Sequence, residues 1–371
     1  MEFVDFKIKE IAKVTAGGDK PKIVSNSYSA ETPIPIYSNG MENDGLYGYT
    51  NIPKVDADTV TISARGVNVG KVCYRETAFL PIVRLLSLIP NRSVINAKYM
   101  YYNLKMMNIS GTGSAQPQIT VPMISELKIH IHKDLIEQEK IASFLSVLDE
   151  KIKNNNQINR NLSEQAKILY KEWFIDFGPF EGEMPGDWHL GTVEEIMELH
   201  DSKRKPLSGR QRDDMEKIYP YYGATSIMDY VDNYIFDGIY LLLGEDGSVI
   251  DTEGYPILQY VFGKFWPNNH AHVITGKKGF SVEMLYLLFS LTNVQSIVTG
   301  AVQLKISQQN LKTVEVVIPS YEAITEFDEM IQPIFREIRR LRTENDKLTT
   351  LRDNLLPKLM SGELDVSDLD I

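Results

Sequence analysis

The 371-residue chain carries one long pattern twice, at a spacing far beyond the period of a solenoid repeat. Shifted by 185 positions, Ile8, Ile11, Val14, Pro35 and Tyr37 fall on Val193, Ile196, Leu199, Pro220 and Tyr222. Shifted by 187, Gly113 and Gln116 fall on Gly300 and Gln303, and Ile119, Ile124, Leu127, Ile129 and Ile131 fall on Ile306, Leu311, Val314, Val316 and Ile318. At 186, Ile141, Leu145, Leu148 and Ile152 meet Phe327, Ile331, Ile334 and Ile338. A repeat of this size implies two copies of a globular domain, each followed by a helix. Divergence is greatest in the connecting loops, as expected of one scaffold that carries two different recognition surfaces.

The helices announce themselves by apolar spacing. Ile141, Leu145, Leu148, Ile152, Asn155, Asn159, Leu162, Ala166, Leu169 and Trp173 follow a 4,3 rhythm over more than four heptads, which is a coiled-coil seam. Phe327, Ile331, Ile334, Ile338, Leu341, Asn345, Leu348, Arg352, Leu355 and Leu359 repeat it. Two seams of equal length most simply pair with each other, antiparallel, and would give the tandem copies a pseudo-two-fold axis. Asn159 and Asn345 occupy equivalent seam positions. They read either as a register device or as a polar gap where the helices splay. Gly178-Pro179 stops the first helix, Pro357 and Gly362 the second, and Pro333 predicts a broken turn or kink.

The segments around the helices read as α+β. Strands are expected at 58–63, 69–74, 84–89 and 127–132, with counterparts at 239–243, 257–262, 272–275 and 314–318, and helices at 96–108 and 282–298. The resulting division is 1–132 and 179–319 for the recognition-type domains, with helical spacers at 133–178 and 320–371. Between strands lie loops rich in glycine and amides. They hold Ser38, Asn39, Arg65, Asn68, Gln116, Asn268, Asn269 and Gln303, and loops on a rigid scaffold are where binding residues concentrate.

Charge is uneven. The chain totals −11, yet residues 1–132 hold 14 basic against 11 acidic side chains, while residues 179–319 hold 11 against 19. That balance argues against indiscriminate nucleic-acid binding and for local patches. Lys203, Arg204, Lys205, Arg210 and Arg212 form one such patch, readable as phosphate contacts or as a solvated loop. A single cysteine, Cys73, sits in a strand as a small apolar residue. It fits a reducing cytoplasm, and no apolar run reaches membrane-spanning length.

Catalytic signatures are missing. No phosphate-cradling glycine loop opens a helix, and the amino-methyltransferase tetrapeptide is not found. His130-x-His132 and His270-x-His272 each place two imidazoles on one strand face, where chelation is conceivable but local hydrogen bonding is the simpler role. Glu245-Asp246 reads as a solvated turn.

The order domain, helix, domain, helix resembles the specificity subunits of type I restriction–modification systems. So do the strings Glu137-Gln-Glu-Lys-Ile-Ala, Leu355-Leu-Pro-Lys-Leu-Met-Ser-Gly-Glu-Leu, Gly263-Lys-Phe-Trp-Pro-Asn-Asn-His and Gly113-Ser-Ala-Gln-Pro-Gln-Ile. The resemblance implies a non-catalytic chain in the cytoplasm whose two target recognition domains read the halves of an asymmetric double-stranded DNA site. It also implies docking of two modification (methyltransferase) subunits and of restriction (endonuclease and translocase) subunits, with S-adenosylmethionine, ATP and Mg²⁺ on those partners and no cofactor or metal here. Seam residues Ile141, Leu145, Leu148, Ile152, Asn159, Leu162, Leu169, Ile331, Ile338, Asn345, Leu348 and Leu355 would then serve pairing and docking. Arg65, Asn68 and Gln116 suit base edges, since Arg reads guanine and Asn or Gln reads adenine; Asn68 and Gln116 suit loop ties equally. A duplicated protein-binding scaffold is the competing reading, and the acidic second domain is compatible with it.

Overall fold

A computed structural model describes residues 2–111, 117–300 and 302–365. They divide into two compact units, Met1–Asn154 with Asn345–Ile371, and Asn155–Glu344. Each unit takes one recognition-type domain and one end of each long helix.

In the first unit β1 (Phe3–Lys7) leads through a single turn, α1 (Ile8–Ile11), into β2 (Ala12–Ala16). Then come β3 (Ile34–Tyr37), β4 (Leu46–Thr50), β5 (Thr59–Ile62), β6 (Val72–Arg75), β7 (Leu80–Pro81), β8 (Leu86–Pro90), α2 (Ala97–Met106), α3 (Val121–Ser125) and β9 (Lys128–His132). Strands β2-β8-β5-β6 make one sheet, β4-β3-β7 a second, and β1 pairs with β9. Ile8, Ile11, Val60, Leu88, Tyr99, Leu104 and Ile131 are buried between sheet and helices. The core closes with Ile141, Ala142 and Leu145 from the start of α4 (Leu135–Phe174) and Leu356, Leu359 and Met360 from the end of α9 (Tyr321–Ser361).

The second unit rebuilds this plan. It holds β10 (His189–Thr192), α5 (Val193–Ile196), β11 (Met197–Leu199), α6 (Gly209–Asp213), β12 (Tyr219–Tyr222), β13 (Ile227–Val231), β14 (Phe236–Gly244), β15 (Leu258–Pro267), β16 (Ala271–Gly276), α7 (Val282–Ser290), α8 (Gln308–Lys312) and β17 (Glu315–Ile318). Here one six-stranded sheet, β11-β16-β14-β15-β12-β13, replaces the two separate sheets, because β15 is long enough to serve both. Its end, Trp266–Pro267, runs parallel to Tyr221–Tyr222 just as Leu80–Pro81 runs parallel to Ile36–Tyr37. A bulge falls at the same place in both hairpins, after Ile36 and after Tyr221. Even the entry turn is repeated: the Glu10 carboxylate accepts the Lys7 amide, and Glu195 accepts that of Thr192. Carboxylates in a first turn satisfy amides that have no intrahelical partner.

Within each unit the long helices pack with opposite direction. The start of α4 meets the end of α9 in the first, and the end of α4 meets the start of α9 in the second. There Ala166, Tyr170, Trp173 and Phe174 bury against Phe327 and Ile331, with the Phe174 and Phe327 rings 4.8 Å apart. The expected antiparallel coiled coil is therefore present. Along α4 the apolar spacing is interrupted by Asn155 and Asn159, and along α9 by Asn345, each of them buried.

Several boundaries differ from expectation. The helix expected over 282–298 ends at Ser290, where the Ser290 and Thr292 hydroxyls donate to the carbonyls of Tyr286 and Leu288 and compete with the ladder. The strand expected from Val69 starts at Val72, since the Gly70 and Lys71 amides bond back to Ser63 and Asn68 in a turn. Both long helices begin about two turns earlier than their seams. As a result Pro333 lies in the interior of α9, which continues through it unbroken.

Candidate nucleic-acid interface

In the first domain, loops at one end of the sheet are tied together by side-chain amides. Asn39 donates from Nδ2 to the Val83 carbonyl at 2.7 Å and accepts the Ala64 amide on Oδ1 at 2.8 Å. Asn68 donates to the Gly40 carbonyl at 2.9 Å, and the Ser38 hydroxyl reaches the Gly45 carbonyl at 3.4 Å. These amides organise the loops that carry Arg65 and Arg84. Neither guanidinium has a hydrogen bond or ion pair among the described residues; Arg84 is exposed and Arg65 half-buried. Gln116 lies outside the described residues. The Ile119 amide bonds to the Ala64 carbonyl at 3.0 Å, which holds Ile119 next to the backbone that leads into Arg65.

The second domain presents the same loops with different chemistry. The Ile306 amide bonds to the Glu245 carbonyl at 2.9 Å, the counterpart of the Ile119 contact. A hairpin closed by Thr299 and Lys305 carries Val302 and Gln303 exposed near its tip. Gly300 turns there at φ +91, and a Cβ on it would lie 2.1 Å from the Gln303 carbonyl oxygen, so only glycine fits. Strand register fixes which positions correspond. Pro81 and Pro267 pair alike, as do Leu86 and His272 opposite Ile62 and Leu243. Arg65 and Arg84 therefore correspond to Asp246 and His270, which hydrogen-bond to each other. Val83 corresponds to Asn269, which is exposed beside the buried Asn268. Asn268 turns its side chain inward, accepting the His270 amide at 2.7 Å and approaching the Met228 sulfur at 3.2 Å.

Of the five cations between 203 and 212, two are internal struts. Arg204 donates to Glu245 at 2.8 Å and to the Ala271 carbonyl at 2.6 Å, and lies 3.4 Å from Asp201. Arg212 pairs with Asp229 at 2.8 Å and stacks on the Tyr221 ring. Lys203, Lys205 and Arg210 remain exposed, with no side-chain partner among the described residues.

Beneath these loops Asp201, Glu245 and His272 bring one ligand atom each into a space a metal could occupy. The arrangement is already satisfied by protein. His272 Nδ1 meets Asp201 at 2.6 Å and Nε2 meets the Ile306 carbonyl at 2.8 Å, so oxygen faces the ring on both sides and no nitrogen lone pair is free. Asp201 also accepts the Val273 amide and the Gln308 side chain, while Lys305 reaches Glu245 at 3.2 Å. Burial pushes the Asp201 carboxyl up, but the His272 hydrogen bond and charge, the Val273 amide and Arg204 together hold it below the usual aspartate range. The other histidine pair is divided: His130 contacts Asp5 at 2.6 Å, and His132 turns toward Asp134.

Each domain is clamped to the helices by a charged cluster that sequence reasoning missed. In the first unit Asp149 of α4 accepts the Tyr102 hydroxyl at 2.8 Å and pairs with Arg352 of α9 at 2.6 Å. In the second, Glu283 accepts the Tyr260 hydroxyl and Arg339 of α9, both at 2.6 Å, and Arg342 donates to the Tyr260 carbonyl. The partners lie far apart along the chain, so no local pattern marks them. The outward faces expose Ile136 and Val147 in the first unit's part of α4 and Ile158 and Ile168 in the second's. None of the described helices is long and apolar enough to cross a membrane.

Comparison with known proteins follows the same two-fold division. The sequence pattern of the type I restriction modification DNA specificity domain matches residues 1–164 and, a second time, 185–350. The type I restriction enzyme MjaIX specificity subunit of Methanocaldococcus jannaschii is 24% identical over 98% of this chain and 94% of its own length. The HindI specificity subunit of Haemophilus influenzae is 23% identical over 74% of this chain and 79% of its own. The crystal structure of a type I restriction–modification S subunit from M. genitalium shares the fold. Its TM-score is 0.62 at 18% identity, over 97% of this chain and 96% of that one.

Proposed function

We propose, for a chain that belongs to the family of type I restriction modification DNA specificity domains, that it is the DNA-reading subunit of a type I restriction–modification complex. Each domain reads one half of a bipartite, asymmetric double-stranded site through its loop end. The observation that carries this reading is the pairing of a repeated scaffold with opposed loop chemistry. Where the first domain offers Arg65 and Arg84, whose guanidiniums have no partner among the described residues, the second offers the Asp246–His270 pair at the same positions. Two readers built alike and charged differently suit two different half-sites. Phosphate contacts would come from Lys203, Lys205 and Arg210, which position the duplex without specifying it.

The helices act as spacer and as docking surface. At about 1.5 Å per residue a helix of 40 residues is about 60 Å long, enough to hold readers one to one and a half turns of duplex apart, at roughly 34–36 Å per turn. The exposed Ile136, Val147, Ile158 and Ile168 suit two modification subunits that methylate adenine, and restriction subunits join in the full complex. Base extraction and methyl transfer belong to those partners, as do S-adenosylmethionine, ATP and Mg²⁺. The chain itself performs no bond chemistry and works in the cytoplasm. Methylome sequencing of cells with and without this gene tests the reading: a gapped, two-part methylated motif should vanish on deletion. An unchanged methylome would overturn it.

A further inference from the structure

Val83 and Arg84 occupy consecutive left-handed backbone conformations, at φ 51 and φ 61. Among the described non-glycine residues with positive φ, Val83 is the β-branched one, for which this region is most unfavourable. The corner is held from three sides. The Val83 amide donates to the Gly18 carbonyl at 2.9 Å and the Arg84 amide to that of Gly17 at 3.1 Å, while the Val83 carbonyl accepts from Asn39 at 2.7 Å. Gly17 must lack a side chain for this, since a Cβ there would stand 2.8 Å from the Pro81 carbonyl carbon.

The second domain serves as an internal control. Its equivalent corner spans the same five steps, from Pro267 to His272 as from Pro81 to Leu86, yet neither Asn269 nor His270 is left-handed. Asparagine tolerates that conformation far better than valine. The scaffold therefore does not demand the strained backbone; the first domain alone adopts it. Its effect is to hold Val83 out at 53% exposure, beside an exposed Arg84 with no partner among the described residues. Strain of this kind, over-determined by its surroundings, gathers where a ligand is gripped.

We propose that the Val83–Arg84 corner is a base-reading element of the first domain: Arg84 donates its planar fork to a guanine edge, and Val83 packs on the apolar edge of the neighbouring base pair. A guanidinium donates two parallel hydrogen bonds to guanine O6 and N7, and aliphatic groups discriminate the thymine methyl. Arg65, brought alongside through the Asn39 bridge to Ala64, extends the same face. This inference rests on the DNA-reading role proposed above.

The test uses the full chain with the modification subunits of its host, acting on a plasmid library randomised across the first half-site. Methylation is read at every sequence. Arg84→Ala and Arg84→Lys should both relax discrimination at one G·C pair, by about ten- to a hundredfold, with the second half-site unchanged. The lysine variant separates base reading from phosphate contact, because it keeps the charge and loses the fork. Val83→Gly should relax the adjacent pair while the thermal midpoint stays level or rises, since glycine accepts the left-handed backbone. Uniform weakening across all sequences, unaltered specificity, or a Val83→Gly variant that melts lower would each overturn the proposal. A wild-type complex with no sequence preference would sink the DNA-reading role as well. A selective wild type with an unmoved Arg84→Ala sinks the corner alone.

Discussion

At the scale of single residues, the second domain holds a buried charged cluster at its loop end. Asp201, with its side chain 3% exposed, sits against His272 and Arg204, and removing one member of a buried charged set leaves the others uncompensated. Asp201→Ala should therefore cost about 3–5 kcal/mol in the unfolding of this domain, measured by denaturant titration near neutral pH. The acid dependence follows from the direction of its shift. A carboxyl held below its ordinary value when folded contributes stability that is complete above the ordinary aspartate range and disappears as pH falls through the folded value. The difference between wild type and Asp201→Ala should thus be full at neutral pH and shrink on acidification below the aspartate range. A gap that stays constant down to pH ~2 would show that folding does not lower the Asp201 carboxyl below its unfolded value. None of this network was legible in the sequence, where Asp201, Glu245, His272 and Lys305 lie in four separate segments. Nor could composition reveal that Arg204 and Arg212 face inward, because Glu245 and Asp229 are brought to them only by the sheet.

At the scale of elements, what could be read was what repeats at short range. The heptad seams marked both long helices, and alternation marked the strands, because each periodicity reports a buried face. Ends were less legible: Pro333 sits inside α9 because the helix starts at Tyr321, ahead of the seam that suggested its beginning. The pairing itself makes a sharp prediction. Phe327 is fully buried and its ring meets those of Tyr170, Trp173 and Phe174. Phe327→Ala should cost about 3–5 kcal/mol, through lost burial and the cavity left behind. Val147 is 58% exposed on the outward face, so Val147→Asp should shift stability by no more than about 0.5 kcal/mol. If that face docks a modification subunit, the same variant should fail to co-purify with it, since a carboxylate there would have to be desolvated. A folded Val147→Asp that still assembles fully would move the docking surface elsewhere.

For the whole molecule, the duplication was the first thing the sequence offered, and the structure gives it physical content: each unit closes its own core, with its own pair of helix ends as the lid. Separate cores are what would make specificity modular, since each domain packs on its own pair of helix ends. Exchanging residues 1–132 for the recognition domain of a relative should therefore rewrite the first half of the methylated motif and leave the second half and the gap alone. The interface that must survive the exchange is specific. Tyr99, Tyr102 and Leu104 pack toward Leu145, Leu356 and Leu359, and the Tyr102 hydroxyl must still find Asp149. A donor domain that keeps an aromatic hydroxyl at this position should fold on the helices. One that lacks it should leave Asp149 with Arg352 and the nearby Lys105, destabilised by about 1–3 kcal/mol for the lost hydrogen bond to a charged group. Methylome sequencing of the exchanged strain reads the outcome directly. A new first half-site with the old second half confirms two separate readers. A motif changed in both halves would mean that recognition is shared across the units, and modularity would have to be abandoned.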